Sequence, residues 1–510
     1  MHPMRYFVAL CAAGVCLLGN ALAQTRPATG DPEDKPQQYL GSYFISKAAG
    51  IALRPPIGGT QVKPAVVGTN IVQFINSDEK WILKLQQVVF ERPAPMLGKE
   101  IPAAPAFDPS KPKGGVLPET TEQLLLQNAG SRLLRQDVIS VARRNTGMIA
   151  IRYTQASQVY LRQVALIQRT DQHYYIIDLT SPSSRAPADR EDAEDPSEAM
   201  AVKIFGAVLD SVQLLDLRLI EADIEARLYA ARSLMVTMAT RVKQAIIPEQ
   251  YFRLLRDGKD IGWSFVTEEP GPRLGEDGVF VSIISQAAGE GGAKVNLSSE
   301  MFSSESRRNE AWVTVTTIDR AGKKQETSEI GQSDWRVTRK LDPTQAPDPK
   351  DHNPAIRVLE RYLLNVTQTN AAGAKPITRE LPARYSYLPQ AFAQLLPRLV
   401  SLNEPKGYLF LVWVSNEREL VHRYIDVEGE RNVTFGGAQI RAAVVKDRLG
   451  LEGEPTFHYF TAQGRYLGSQ TPSNGISIIA TDLKTISRLY PSANLARPRL
   501  LDAPGTRLEK

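Results

Sequence analysis

Cysteine is all but missing from this 510-residue sequence, which holds two, Cys11 and Cys16, both within its first two dozen residues. That opening reads as a secretory signal peptide over 1–23. Residues 1–5 give a short positive start and 6–19 an apolar run too short to span a bilayer, and Ala21-Leu22-Ala23 forms a small-residue cleavage site before Gln24. The expectation is cleavage after Ala23, with a periplasmic or secreted product that carries no thiol. Export without cysteine excludes a disulfide framework, a thiolate nucleophile and a cysteine-ligated metal together. Leu10 precedes Cys11 and Val15 precedes Cys16, where a bacterial lipoprotein signal places a small residue, so no lipid anchor is expected.

Histidine is scarce too, and beyond the signal only His173, His352, His422 and His458 remain. None lies in an HExxH phrase or in a pair at i and i+4, and no GxSxG elbow, P-loop or GxGxxG is present. No segment after the signal reaches the roughly 18 consecutive apolar residues of a membrane span, so no transmembrane anchor is expected. Excess charge is small: 61 basic and 56 acidic residues leave +5, interleaved without a basic stripe, which argues against nucleic acid as a partner. Neither catalytic residues nor metal ligands nor a cofactor are assigned from the sequence, and ligand-binding residues stay unassigned.

What is present is an ordinary globular composition, 42% hydrophobic and 23% charged, in a chain long enough for roughly three domains. After a polar, Pro-rich leader (24–38), strands are expected over 71–75 and 81–90 around the turn Asn76-Ser77-Asp78-Glu79. Trp81, Leu83, Leu85 and Val89 share one parity there, as a half-buried strand requires. A Pro-rich loop (92–116) leads to Thr120 and Gln123, whose capping-box spacing predicts a helix start. Strands resume over 148–153, 160–168 and 174–179. Following an acidic loop (181–196), residues 197–215 carry Met200, Ile204, Val208, Val212 and Leu215 at helical spacing.

This order of hairpins closed by a helix, with the phrases at 71–90 and 173–182 ("HYYIIDLTSP"), resembles the Mog1/PsbP-like family, which includes DcrB-like proteins. The resemblance covers 39–215. It implies an α/β sandwich in a protein that binds or assembles and does not catalyse.

Residues 216–247 read as one long amphipathic helix, with Ile220, Ile224, Leu228, Met235, Met238, Val242 and Ile246 on one stripe and Pro248 ending it. Of two uses, a partner helix for another chain or a connector packed on its own sheet, the second is preferred. Residues 248–491 then form an antiparallel meander, and 492–510 a C-terminal tail. Within the meander, "FRLLRDGKDIG" (252–262) and "YFTAQGRYLG" (459–468) echo each other and are expected as equivalent hairpins near opposite ends of one curved sheet. Such hairpins are similar to those of DUF3108-type and LolA-like envelope proteins, which implies a half-barrel wrapped around a helix, with a lipid inside some members.

Several phrases invite sharper readings. Residues 408–414 are apolar at both parities, which predicts a strand buried on both faces, lining either a core or a hydrophobic cavity. The apolar face of 386–399, interrupted by Pro389 and Pro397, reads as a short lid or a crossover. His422, His458 and Asp426 would converge as an acid-base group if their strands were neighbours, although half-buried sheet histidines are the commoner outcome. Ser77 and Lys80 have SxxK spacing but sit in a hairpin turn. Residues 289–294 ("GEGGAK") read as a flexible loop. The acidic residues Asp189, Glu191, Asp192, Glu194, Asp195 and Glu198 lack the ligand spacing of a calcium loop and read as solvated.

The sequence therefore leads to an α+β chain with an N-terminal sandwich, a long connecting helix and a large curved antiparallel sheet packed on helices. The function expected is that of an exported, non-catalytic scaffold contacting other envelope proteins through sheet edges and loops. A carrier of an apolar ligand or lipid in the C-terminal half-barrel is the alternative, and a hydrolase the weaker one.

Overall fold

The computed structural model describes residues 37–62, 70–90, 93–97, 114–128, 130–184, 195–341, 356–381, 385–450 and 452–502. The segment read as a signal peptide (1–23), nearly all of the segment read as a leader, the break at 342–354 with His352, and Asp189, Glu191, Asp192 and Glu194 lie outside them. Large antiparallel sheets and, among the described residues, six α-helices give an α+β fold dominated by strand. The chain divides into two compact units, Gln24–Ala222 with Leu451–Gly453, and Asp223–Gly450 with Glu454–Lys510. The division falls inside the helix expected over 216–247, not at its start.

In the N-terminal unit, β1 (Phe44–Ser46) and β2 (Ile51–Leu53) join β10 (Gln213–Leu214) in a small sheet. The main sheet holds β3 (Thr60–Val62), β4 (Asn70–Asn76), β5 (Trp81–Val89), β6 (Arg132–Val141), β7 (Arg144–Gln155), β8 (Gln158–Gln168) and β9 (His173–Pro182). Its antiparallel order is β3-β4-β5-β9-β8-β7-β6. The β4–β5 turn closes because the Asn76 side chain accepts the backbone N–H groups of Asp78 and Glu79, both at 2.9 Å. Trp81, Leu83 and Leu85 are buried on one face as their parity requires, whereas Val89, at the strand's end, is 67% exposed. Helix α2 (Pro196–Asp210) lays Phe205 and Val208 on that face, and α1 (Val116–Gln127) lays Leu117 and Leu124 on the other, so the sheet is buried from both sides.

Helix α1 begins four residues before its expected start. Pro118 sits in the first turn, where no intrahelical N–H is needed, and Thr120 Oγ1 donates to the Val116 carbonyl at 2.7 Å instead of capping. Strand β6, unforeseen in the sequence, is exposed along almost its whole length and so has no alternating burial to betray it.

The C-terminal unit carries one fourteen-stranded sheet. A first run of hairpins comprises β11 (Glu249–Arg256), β12 (Lys259–Arg273), β13 (Glu276–Ala288), β14 (Lys294–Ser304), β15 (Glu310–Arg320), β16 (Lys323–Leu341), β17 (Ile356–Asn370) and β18 (Gly373–Glu380). A second run comprises β19 (Lys406–Val414), β20 (Glu419–Phe435), β21 (Ala438–Leu449), β22 (Pro455–Phe460), β23 (Tyr466–Thr471) and β24 (Ile476–Thr481). The two runs join where β24 pairs with β11, which leaves β18 and β19 as the edges. The echoing hairpins β11–β12 and β22–β23 are thus separated only by β24 in mid-sheet, not placed at opposite ends. Arg379 of β18 donates to Glu419 of β20 at 2.7 Å, so the two edges come within side-chain reach of each other.

The single helix expected over 216–247 is two, α3 (Leu217–Val236) and α4 (Met238–Ala245), broken at Thr237. Leu228, Met235, Met238 and Val242 of its stripe are buried. Helix α6 (Leu483–Leu489) follows the last strand, and residues to 502 do not hang free as a tail. Leu501 is buried against Phe302 and Val313, its N–H donates to Glu300 at 2.9 Å, and Arg497 pairs with Glu269.

Between the two edge strands runs α5 (Gln390–Leu399), whose Ala391, Phe392, Leu395, Leu396 and Leu399 are all at most 1% exposed. It is a buried crossover and not a lid. Its backbone ends, which need partners when buried, find them on neighbouring elements. Pro389 offers no cap, and Glu310 Oε2 accepts the Gln390 N–H at 2.9 Å while Ser303 Oγ accepts that of Ala391 at 3.2 Å. Pro397 lacks the N–H that would reach the Ala393 carbonyl, and Arg423 of β20 donates to that carbonyl at 2.8 Å. Arg241 of α4 donates to the Leu399 carbonyl at 3.0 Å.

Candidate functional site

Against α5 one face of the sheet leaves a half-open, mixed-polarity cavity of about 120 Å³. Strands β11 to β13 supply Phe252, Leu254, Val266 and Ile283 to its wall, and α5 supplies Gln394, Pro397 and Arg398. Strands β20 to β23 supply Arg423, Asp447, His458, Tyr466 and Ser469, the last two of opposite parity on β23 where its pairing with β22 shifts register.

Two ion pairs frame the cavity. Arg423 and Asp447, each with a side chain only 3% exposed, are joined by a fork of hydrogen bonds of 2.5 to 3.1 Å. Burial raises the Asp447 carboxyl, but the Arg423 guanidinium, with His458 beside it, outweighs burial and holds it at about 2. Opposite, buried Glu268 pairs with Arg398 and also accepts the Ile247 N–H at 2.8 Å and the Gln250 side-chain amide at 2.7 Å. Arg398 in turn donates to the Ala245 carbonyl at 2.7 Å.

His458 lies between Asp447 and Tyr466. Its Nδ1 is 3.1 Å from the Tyr466 hydroxyl, and its buried Nε2 makes no well-formed hydrogen bond, the nearest acceptor being Asp447 Oδ2 at 3.4 Å. Burial pushes the Tyr466 hydroxyl up to about 12. Gln394 Nε2 is likewise buried without a partner.

The acid-base group that neighbouring strands would have made of these histidines is not assembled. His422 and His458 stand on β20 and β22 with β21 between them, and Asp426 pairs with Arg227 at 2.6 Å. His422 packs instead against the Tyr385 ring, 4.5 Å between centroids. The carboxylate beside His458 is Asp447, which the sequence reading passed over. His173 belongs to the N-terminal unit, where burial, and then the nearby Arg169, lower its pKa to about 4. Ser77 and Lys80 are exposed in the β4–β5 turn, and residues 289–294 form a turn leading into β14. Asp195 caps α2 through the Ser197 N–H at 2.8 Å, and Glu198 grips Arg152 at 2.6 and 2.8 Å. Among the described residues no cluster of three or more metal-ligating side chains occurs.

The other exposed feature of note is β6. It ends the seven-stranded sheet, spans 10 residues and, among the described residues, has no strand on its outer side. Leu133, Leu134 and Val138 are 37 to 41% exposed along it. A recess lined by Pro93, Pro95, Met96, Leu97 and Val138 adjoins it.

No protein-family model and no curated protein matches the chain. Among solved structures, one from Bacteroides thetaiotaomicron is similar at 12% identity and TM-score 0.20, over 40% of this chain and 61% of that one. The cyanobacterial PsbP protein (CyanoP) of Synechocystis is similar at 12% identity and TM-score 0.24, over 38% of this chain and 99% of its own. A β-barrel-like protein of Brucella abortus, of the domain family of unknown function DUF1849, is similar at 9% identity and TM-score 0.28, over 46% and 95%.

Proposed function

We propose that this chain is an exported, non-catalytic binding protein that serves as an assembly scaffold, and that β6 is its docking edge. The observation that carries the reading is a ten-residue edge strand left exposed on both faces and bare on its outer side, among the described residues. An unpaired edge offers a row of N–H and C=O groups to an incoming strand, and alternate side chains then find adjoining pockets. The recess beside Val138 is such a pocket. Residues 132–144 hold Arg132, Arg135, Arg143 and Arg144 against Asp137 alone, so the incoming segment is an extended acidic one.

The carrier reading has less support. A cavity of about 120 Å³ is well below the roughly 300–1,000 Å³ of pockets that enclose drug-sized ligands. An acyl chain is therefore the less favoured occupant beside α5. The hydrolase reading loses its geometric basis with the separation of His422, His458 and Asp426. No helix among the described residues is long and apolar enough to cross a membrane.

The test is photo-cross-linking in the cell of origin, with the reactive residue placed at Leu134, at Val138 and, as a control, at exposed Tyr229 of α3. One defined adduct from the β6 positions, absent at Tyr229 and lost when Arg143 and Arg144 become Glu, is the expected result. Identical adducts at all three positions, or none at β6, would overturn the proposal.

A further inference from the structure

The cavity beside α5 has two features that a scaffold does not need. Both of its arginines are neutralised locally, Arg423 by Asp447 and Arg398 by Glu268, so it holds no surplus charge for an ion. Yet two of its polar atoms, Gln394 Nε2 and His458 Nε2, are buried without a hydrogen-bond partner. Leaving such groups unpaired is unfavourable, so a ligand acceptor is welcome there. His458, only 9% exposed, shares its Nδ1 with the Tyr466 hydroxyl at 3.1 Å and has the Asp447 carboxylate 3.4 Å from its Nε2. The Gln394 amide is therefore the donor left without a neighbour to take it. The apolar part of the wall is formed by Phe252, Leu254, Val266, Ile283 and Ile478, with Ser264, Ser285 and Ser469 between them.

We infer that this cavity is a binding site for a compact, uncharged, largely apolar molecule that carries one hydrogen-bond acceptor, of about the size of phenol. Volume favours a small molecule: this cavity measures about 120 Å³, on the scale of the roughly 150 Å³ apolar cavity that takes benzene. Paired charges exclude an ionic ligand, because an added carboxylate or ammonium would be buried with no counter-charge. The Gln394 amide selects an acceptor oxygen, and Phe252 with the aliphatic residues covers the apolar body. The site is independent of β6, and its failure would leave the docking reading untouched.

The experiment titrates the full-length protein with phenol, benzene and benzoate by calorimetry and by ligand-observed NMR, followed by crystal soaks. Phenol should bind saturably at one site, benzene at least tenfold more weakly, and benzoate not at all. Gln394→Leu should reduce phenol affinity about tenfold while leaving benzene unchanged, and Val266→Phe, which fills the cavity, should abolish both. Equal affinity for phenol and benzene, binding of benzoate, binding of none of the three, or density in the cavity that fits water only would each overturn the inference.

Discussion

Strands β6 and β19 both end a sheet, and the chain treats them in opposite ways. Tyr408 to Val414 of β19 are buried without exception, and the strand's outer side is occupied: the Leu388 N–H donates to the Leu411 carbonyl at 2.9 Å and the Leu411 N–H to that of Ser386 at 3.0 Å. The outer side of β6 carries nothing among the described residues, and its apolar side chains are interspersed with arginine and aspartate. An open, flat, apolar edge invites aggregation, and charge is one of the means by which proteins manage it. An edge closed as thoroughly as β19 shows that this chain has the means to close one. The contrast singles out β6 as the edge kept for use.

The comparison breaks first where the closed edge is built. Arg423 anchors α5 through the Ala393 carbonyl and neutralises Asp447, so Arg423→Met strands a buried carboxylate and an unpaired carbonyl. A loss of about 3–5 kcal/mol is expected in denaturant unfolding followed on the C-terminal unit. Leu388→Ala, which thins the cover over β19, should cost about 2–5 kcal/mol, checked by the same unfolding.

A pH effect comes next. Burial pushes the Glu310 carboxyl, which caps α5, from 4.5 up to about 7, against the pull of the Gln390 N–H and the Tyr387 hydroxyl. The folded chain then holds this proton where the unfolded chain has released it. The Glu310 contribution is therefore complete below pH 4.5 and declines as pH rises to about 7. Glu310→Gln keeps an acceptor and removes the titration. The difference in stability between wild type and variant should change by up to about 3 kcal/mol over that interval and by little above it. A difference independent of pH would show that Glu310 does not titrate there. The smallest effect belongs to the open edge: Leu134→Lys and Val138→Lys should shift stability by no more than about 0.5 kcal/mol, since both side chains are exposed, while weakening partner cross-linking at β6.

The sequence is legible where burial alternates along a strand. Trp81, Leu83 and Leu85 announce β5, and the two-sided apolar run at 408–414 announces β19 as fully buried. That run did not announce an edge strand, because burial by a covering segment and burial between strands leave the same pattern. Strand β6 is invisible for the reverse reason, since both its faces meet solvent. Partner choice is hidden as well. Alternation says nothing of which strands pair, so the junction of β24 with β11, more than two hundred residues apart, and the placing of the echo hairpins in mid-sheet escape it.

The candidate site was partly within reach. His458 was singled out, but with Asp426 on the wrong strand. The better signal was a charge at an inward position of an apolar strand, as with Arg423 in "ELVHRYIDV" and Asp447 in "RAAVVKDRL". Such charges need partners, and here they find each other across neighbouring strands. Gln394 could not be found this way, because only the shape of the cavity leaves its amide unpaired.

Residue-resolved amide hydrogen exchange of the isolated full-length protein, with β6 and β19 compared, tests the central claim most directly. Alternate amides of β6 should exchange without protection while those of 408–414 exchange only through global unfolding, and the β6 amides should become protected when the partner identified by cross-linking is added. Full protection along β6 in the isolated chain would mean that the edge is already closed, and would contradict the account.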